Sequence, residues 1–77
     1  MKRPSARLQE RVAQVIRRHR KAGKWTQDDF AAHIEMHRAQ YSIMEEGRKD
    51  VRLSTLDRVA KGLQVPMWVL LREAEEH

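Results

Sequence analysis

Residues 26–47 read TQDDFAAHIEMHRAQYSIMEEG, and the parsing of this stretch decides the fold. Thr26 suits an N-cap, because its hydroxyl accepts a backbone N–H that a helix start leaves unbonded. Asp29, three residues on, adds a carboxylate at the favourable end of the helix dipole. The spacing predicts a short helix over about Gln27–His33, burying Phe30, Ala31 and Ile34. After a break at Glu35, a second short helix over about Arg38–Glu46 turns Tyr41 and Met44 inward and stops at Gly47. Helices of two or three turns are marginal alone, so neighbouring elements must hold both.

The flanks supply those neighbours. Over residues 5–22, Leu8, Val12, Val15, Ile16 and His19 recur at helical spacing on an otherwise basic rod, with Gly23 to close it and His19 at the edge of the core. After the polar loop 48–52, Leu53, Leu56, Val59, Ala60 and Leu63 mark a fourth helix whose end Gly62 weakens. Pro66 suits the first turn of a fifth helix carrying Met67, Val69, Leu70 and Leu71. No alternating pattern or repeat argues for strands. The expected fold is all-α, a compact five-helix bundle in one domain over residues 1–77, with a short basic arm at 1–4 and a last helix at about 66–76.

A chain of 77 residues has room for one core. It buries only about 60% of its unfolded surface, so pairing with a second copy is expected on size alone. The net charge is +5, and residues 1–24 hold nine Lys or Arg against Glu10 alone, whereas the tail carries Glu73, Glu75 and Glu76 against Arg72. A basic end and an acidic end suit a polyanion approached from one side, nucleic acid above all; a solvated helix face is the plain alternative. There is no cysteine, hence no disulfide and no thiolate chemistry. No apolar run reaches the ~20 residues of a membrane span and the start lacks a signal segment, so a cytoplasmic protein is expected. The one cluster that tempts a catalytic or metal reading is His33-Ile34-Glu35-Met36-His37, with two histidines four apart. The predicted turn runs through it and no third ligand is evident, so no enzyme, metal or cofactor is called for.

Three pieces in order, Trp25-Thr26-Gln27-Asp28-Asp29-Phe30-Ala31, Met44-Glu45-Glu46-Gly47-Arg48-Lys49, and Leu53-Ser54-Thr55-Leu56 through Ala60, Leu63 and Val65, resemble the Cro and phage-repressor type of helix-turn-helix proteins, the xenobiotic-response-element family. The likeness runs from Ile16 to Leu71, and in build the chain is similar to small phage repressors and to controller proteins of restriction–modification systems. The resemblance implies a sequence-specific transcriptional regulator, a repressor or controller, binding double-stranded DNA at a pseudo-palindromic operator as a homodimer. By it, His37, Arg38, Ala39, Gln40, Ser42 and Ile43 lie on or near the groove-facing side of the second short helix.

Arg38 is the best base reader, since a guanidinium donates two hydrogen bonds to guanine N7 and O6; clamping a phosphate is the other reading. Gln40 suits adenine, while Ala39 and Ile43 can only touch a thymine methyl, and Ile43 has a core reading as well. Arg48, Lys49 and Arg52 look like phosphate clamps. Gln27 is expected to send its side chain or backbone N–H to a phosphate. Arg20 and Glu45 match a structural ion pair of the family, and Ala31 its small residue where the two helices cross.

The departures are Glu35 where the family has a turn glycine, Lys24 where it has glycine after the first helix, with Gly23 adjacent to take over, and Tyr41 in place of a β-branched aliphatic. Tyr41 is thereby expected to send its hydroxyl out to a phosphate. For the dimer, Trp68 falls at a position the family usually exposes. With Met67, Leu71, Arg72 and Glu75 it would form an interface, unless it folds back onto the first helix. Two other readings stand beside this one. An antitoxin would have the same fold and bind a toxin as well as its own operon, though only six residues follow Leu71. A non-specific binder would work through the charges of the first helix.

Overall fold

The computed structural model describes residues 7–76, and these form five α-helices with no strand among them. They are α1 (Leu8–Ala22), α2 (Gln27–His33), α3 (Arg38–Glu46), α4 (Leu53–Leu63) and α5 (Met67–Glu75). The arm at 1–4 and the helix start expected at Ser5 lie outside the described residues. The Arg7 N–H donates to the Glu10 carboxylate at 3.0 Å ahead of α1. Thr26 caps α2 as its sequence demands, its Oγ1 accepting from the Asp29 N–H at 3.0 Å. Pro66 stands just before the first residue of α5 instead of inside its first turn.

Three of the helix ends close alike, and none of the three uses glycine. Lys24, Glu35 and Gln64 all have left-handed backbones, with φ of 64°, 60° and 62°. In each case the next residue donates its N–H five positions back, Trp25 to Arg20, Met36 to Ala31 and Val65 to Ala60, which satisfies carbonyls that the helix end would orphan. The expectation that Gly23 takes over from Lys24 is corrected: Gly23 has φ −83° and Lys24 takes the left-handed position. Gly23 is needed for another reason, since a Cβ there would stand 2.9 Å from the Trp25 ring. α3 does end on a left-handed glycine, Gly47, at φ 78°.

The core joins Val12, Val15 and Ile16 of α1 to Phe30 and Ala31 of α2, Tyr41 and Met44 of α3, and Leu56, Val59 and Ala60 of α4. Leu70 and Ala74 of α5 complete it, and α5 lies mainly along α1. Full burial of each large apolar side chain contributes about 1.5–3 kcal/mol, which is what holds elements too short to stand alone. Leu53 departs from expectation. Although it continues the apolar stripe of α4, it is 70% exposed, because as the first helical residue it sits on the rim of an open groove shared with Leu8, Val12 and Leu71. Gly62 also has a larger role than weakening a helix end, since a Cβ on it would stand 2.3 Å from Ile34 Cγ2. Its bareness lets α4 approach the end of α2.

The charge asymmetry along the chain does not become two ends of the molecule. Basic α1 and acidic α5 lie side by side, where Glu73 accepts from His19 Nε2 at 2.9 Å and Arg18 at 3.3 Å. The His19 bond above all holds the Glu73 carboxyl below its ordinary range.

Candidate nucleic-acid interface

The wedge of α2, turn and α3 is fixed from behind by one buried carboxylate. Glu45, near the end of α3, is 2% exposed and accepts from Arg20 Nε at 2.7 Å, from a second Arg20 nitrogen at 3.2 Å and from Gln27 Nε2 at 2.9 Å. The Tyr41 hydroxyl donates to the same carboxylate, and Arg20 donates further to the Trp25 carbonyl at 2.7 Å. The expected pair of Arg20 and Glu45 is therefore the middle of a network that ties α1, the α1–α2 connection, α2 and α3 together. Burial alone would push the Glu45 carboxyl up, but the bonds from Arg20, Tyr41 and Gln27 outweigh it and hold the group below its ordinary range. Burial, and then the bond to Glu45, push the Tyr41 hydroxyl far above its ordinary value.

Two expectations fall to this network. Tyr41 does not reach outward to a phosphate: it is 0% exposed, edge-to-face with Phe30 at 5.5 Å, and its only polar atom serves Glu45. Its position on α3 points it into the core, and Glu45 one turn later supplies an acceptor there. Gln27 likewise spends its side-chain amide on Glu45, so of its two expected routes to a phosphate only the backbone N–H remains.

With Tyr41, Met44 and Glu45 turned inward, the opposite side of α3 stands clear. His37, Arg38, Ala39 and Gln40 are exposed, Ser42 is half-buried, and Ile43, at 42% exposure, belongs to this face and not to the core. His37 makes no capping bond with its side chain. This ridge runs between two grooves. One, toward α4, is lined by Gln40 and Ile43 together with Lys49 and Arg52; Arg48 is exposed on the same loop. The other, toward α1, is lined by Ser42 and Glu46 with Arg17 and Lys21. Arg17 and Lys21 were not anticipated, although their spacing of four put them on one face of α1.

Asp28 was missed as well. Its Oδ1 lies 3.1 Å from Arg38 Nε, an exposed ion pair across the turn. Nothing in the sequence flags it beyond an acid at the start of α2. Three arginines of α1 have partners within the chain: Arg17 donates to the Glu45 carbonyl at 2.9 Å, Arg20 to the Glu45 carboxylate and Arg18 to Glu73. The His33, Glu35 and His37 cluster is dispersed by the turn. The His33 ring stacks on Trp25 at 4.6 Å, Glu35 is the left-handed residue, and His37 precedes α3.

On α5, Trp68 is 60% exposed with Arg72 stacked 5.2 Å above its ring, so it does not fold back onto α1. Glu75 and Arg72 are exposed beside it, while Met67 and Leu71 are half-buried against the core. No helix among the described residues is long and apolar enough to cross a membrane.

Comparison with known proteins bears on this geometry. The sequence model of the helix-turn-helix family matches residues 16–67. Control protein C.MunI of Mycoplasma sp is 33% identical over 51 residues, 66% of this chain and 69% of that protein. Among solved structures, the clp gene regulator ClgR from C. glutamicum is similar at a TM-score of 0.86 and 25% identity, covering 94% of each chain. The restriction–modification controller protein C.Esp1396I, solved as a tetramer in complex with its natural 35-base-pair operator, is similar at 0.82 and 25% identity, covering 94% of this chain and 95% of that one.

Proposed function

Because the chain belongs to the helix-turn-helix family of DNA-binding transcription regulators, of the controller and repressor type and not an enzyme family, we propose that it works as a homodimer on a pseudo-palindromic operator. In this reading α3 enters the major groove of double-stranded DNA, a channel about 12 Å wide that admits one helix. Arg38 and Gln40 carry the base contacts, with His37, Ala39, Ser42 and Ile43 beside them, and Ala39 and Ile43 limited to thymine methyls. Arg48, Lys49 and Arg52 clamp the phosphates on one side of the ridge, and Lys21 and the Gln27 backbone N–H face those on the other. A second copy pairs through Met67, Trp68, Leu71, Arg72 and Glu75 on α5. One domain serves both tasks, and a cytoplasmic location suits them.

The observation that carries this reading is the exposed face of α3, flanked by cations in two grooves and braced from behind by buried Glu45. A binder acting through the bulk charge of α1 is disfavoured by the ion pairs that Arg18 and Arg20 make with Glu73 and Glu45. Selection from a randomised duplex pool tests it. An inverted repeat should emerge, its half-sites about one DNA turn, ~34 Å, apart, and preference for it should persist as salt rises. Arg38→Ala should relax preference at one position per half-site, whereas Lys49→Ala should weaken all duplexes alike. A pool that returns no enriched motif, or affinity for all duplexes vanishing together with salt, overturns the proposal.

A further inference from the structure

Asp28 sits in the first turn of α2, yet it does not cap that helix, because the Thr26 hydroxyl already takes the Asp29 N–H. Its carboxylate instead reaches across the turn to Arg38, with Oδ1 3.1 Å from Nε and both side chains well exposed, at 69% and 63%. Surface pairs of this kind contribute little to folding, so stability does not account for the contact. We infer that Asp28 is a positioning residue for DNA recognition: it fixes the edge of the Arg38 guanidinium that faces the base pair and discourages Arg38 from settling on a phosphate. This rests on the reading of Arg38 as a base contact.

The argument starts from guanidinium geometry. The group carries five N–H donors in a rigid planar fork, and the ion pair engages its Nε side. A guanine edge, with N7 and O6 side by side, can then be met by the two terminal nitrogens, which makes one approach out of several. When α3 enters the groove and water is displaced, attraction between Asp28 and Arg38 strengthens, so the arrangement tightens where it is used.

Charge makes the second half of the case. An unpaired arginine at the end of a reading helix binds any phosphate, and such contacts supply nearly all non-specific affinity. A carboxylate against the guanidinium cancels much of that attraction, while two directed hydrogen bonds to guanine survive. Asp28 also places a negative charge at the wall of the groove, so a shifted docking that presses phosphates against α2 is repelled. The net effect is a lower affinity for random DNA and a higher ratio of specific to non-specific binding.

The test uses the full chain and two probes: the duplex that the parent enriches from a randomised pool, and a scrambled duplex of the same composition. Arg38→Ala defines the sensitive base position. Asp28→Ala should lose about tenfold of the discrimination at that same position, and bind the scrambled duplex more tightly with a steeper salt dependence. Asp28→Asn, whose amide oxygen can still accept from Nε–H without the charge, should fall between. In the Arg38→Ala background, Asp28→Ala should change nothing further at that position. The melting temperature of Asp28→Ala should fall by no more than the few degrees that loss of a first-turn carboxylate brings.

If Asp28→Ala keeps the parent's preference where Arg38→Ala loses it, Asp28 has no positioning role and the reading of Arg38 stands. A uniform loss across positions with a larger fall in melting temperature makes Asp28 a helix-stabilising residue only, and likewise overturns the inference. If Arg38→Ala leaves every position unchanged, both fall.

Discussion

A single carboxyl group, that of Glu45, does most to make the reading surface rigid. It accepts from residues of α1, α2 and α3 at once, so the orientation of α3 relative to α2 depends on its charge. Glu45→Gln leaves Arg20 as a buried cation without its counter-charge, and removal of one partner of such a pair costs about 3 kcal/mol or more. Urea unfolding followed by tryptophan fluorescence should record that loss. The pH dependence has a definite sign. The folded carboxyl titrates below its ordinary value, so its contribution is present above the unfolded value of about 4.3 and is lost as pH falls through the lower folded value. Parent stability should therefore drop steeply at acid pH, and Glu45→Gln should flatten that part of the curve. Tyr41→Phe removes a donor to an ionised acceptor and should cost about 1.5–3 kcal/mol. Since Tyr41 is buried, the variant should bind DNA with the parent's affinity at temperatures where both are folded; a weaker affinity for all duplexes alike with the fold intact would put its hydroxyl on a phosphate after all.

Among the elements, two kinds of information divide. Thr26, Gly47 and the 3/4 spacing of apolar residues are local signals, and they place the bounds of α2 and α3 where the helices are found. The resemblance adds the pair of Arg20 and Glu45. What the sequence does not disclose is decided by contacts between elements: that the Trp25 ring occupies the space over Gly23 while Lys24 takes the left-handed position; that Gly62 exists to admit Ile34; that Leu53 starts α4 beside an open groove; that Asp28 faces Arg38 across a turn. The exposed face of α3 was legible from the resemblance and in part from helical geometry, which puts Ala39 and Ile43 opposite Tyr41; Arg38 lies seven residues before Glu45, on the same side, and is exposed as the first residue of the helix. The direction of the Tyr41 hydroxyl was not legible, since it depends on an acceptor four residues on and on Phe30 beside it. Two substitutions separate these influences. Glu35→Gly relieves a left-handed side chain at the cost of a more flexible unfolded chain, and should stabilise by about 0.5–1 kcal/mol. Gly62→Ala gains helix propensity but drives a methyl into Ile34, which is buried and β-branched and has little room to give. Overpacking should win, with a net loss of about 1–2 kcal/mol in urea unfolding; a gain would mean that α2 and α4 can part freely.

For the molecule as a whole, the unresolved balance is between a small core and a large apolar surface. Trp68 and Leu53 are the most exposed large apolar side chains, and Leu71, one turn beyond Trp68, also lines the groove that holds Leu53 and Leu8. A tryptophan held in water against an arginine gains by burial, and a two-fold axis through α5 would set Arg72 and Glu75 of each copy at the rim of a common patch. The same axis decides how two copies of α3 address DNA, because a rigid pair meets half-sites one turn apart whereas separate copies bind each half-site independently. Trp68→Ala should therefore sediment with lower mass at micromolar concentration, while a duplex carrying one half-site is bound as before and joint occupancy of two half-sites loses its steepness. If mass and steepness both stay at the parent's values, the axis does not pass over Trp68, and substitutions in the groove of Leu8, Leu53 and Leu71 are the next test of where the second copy sits.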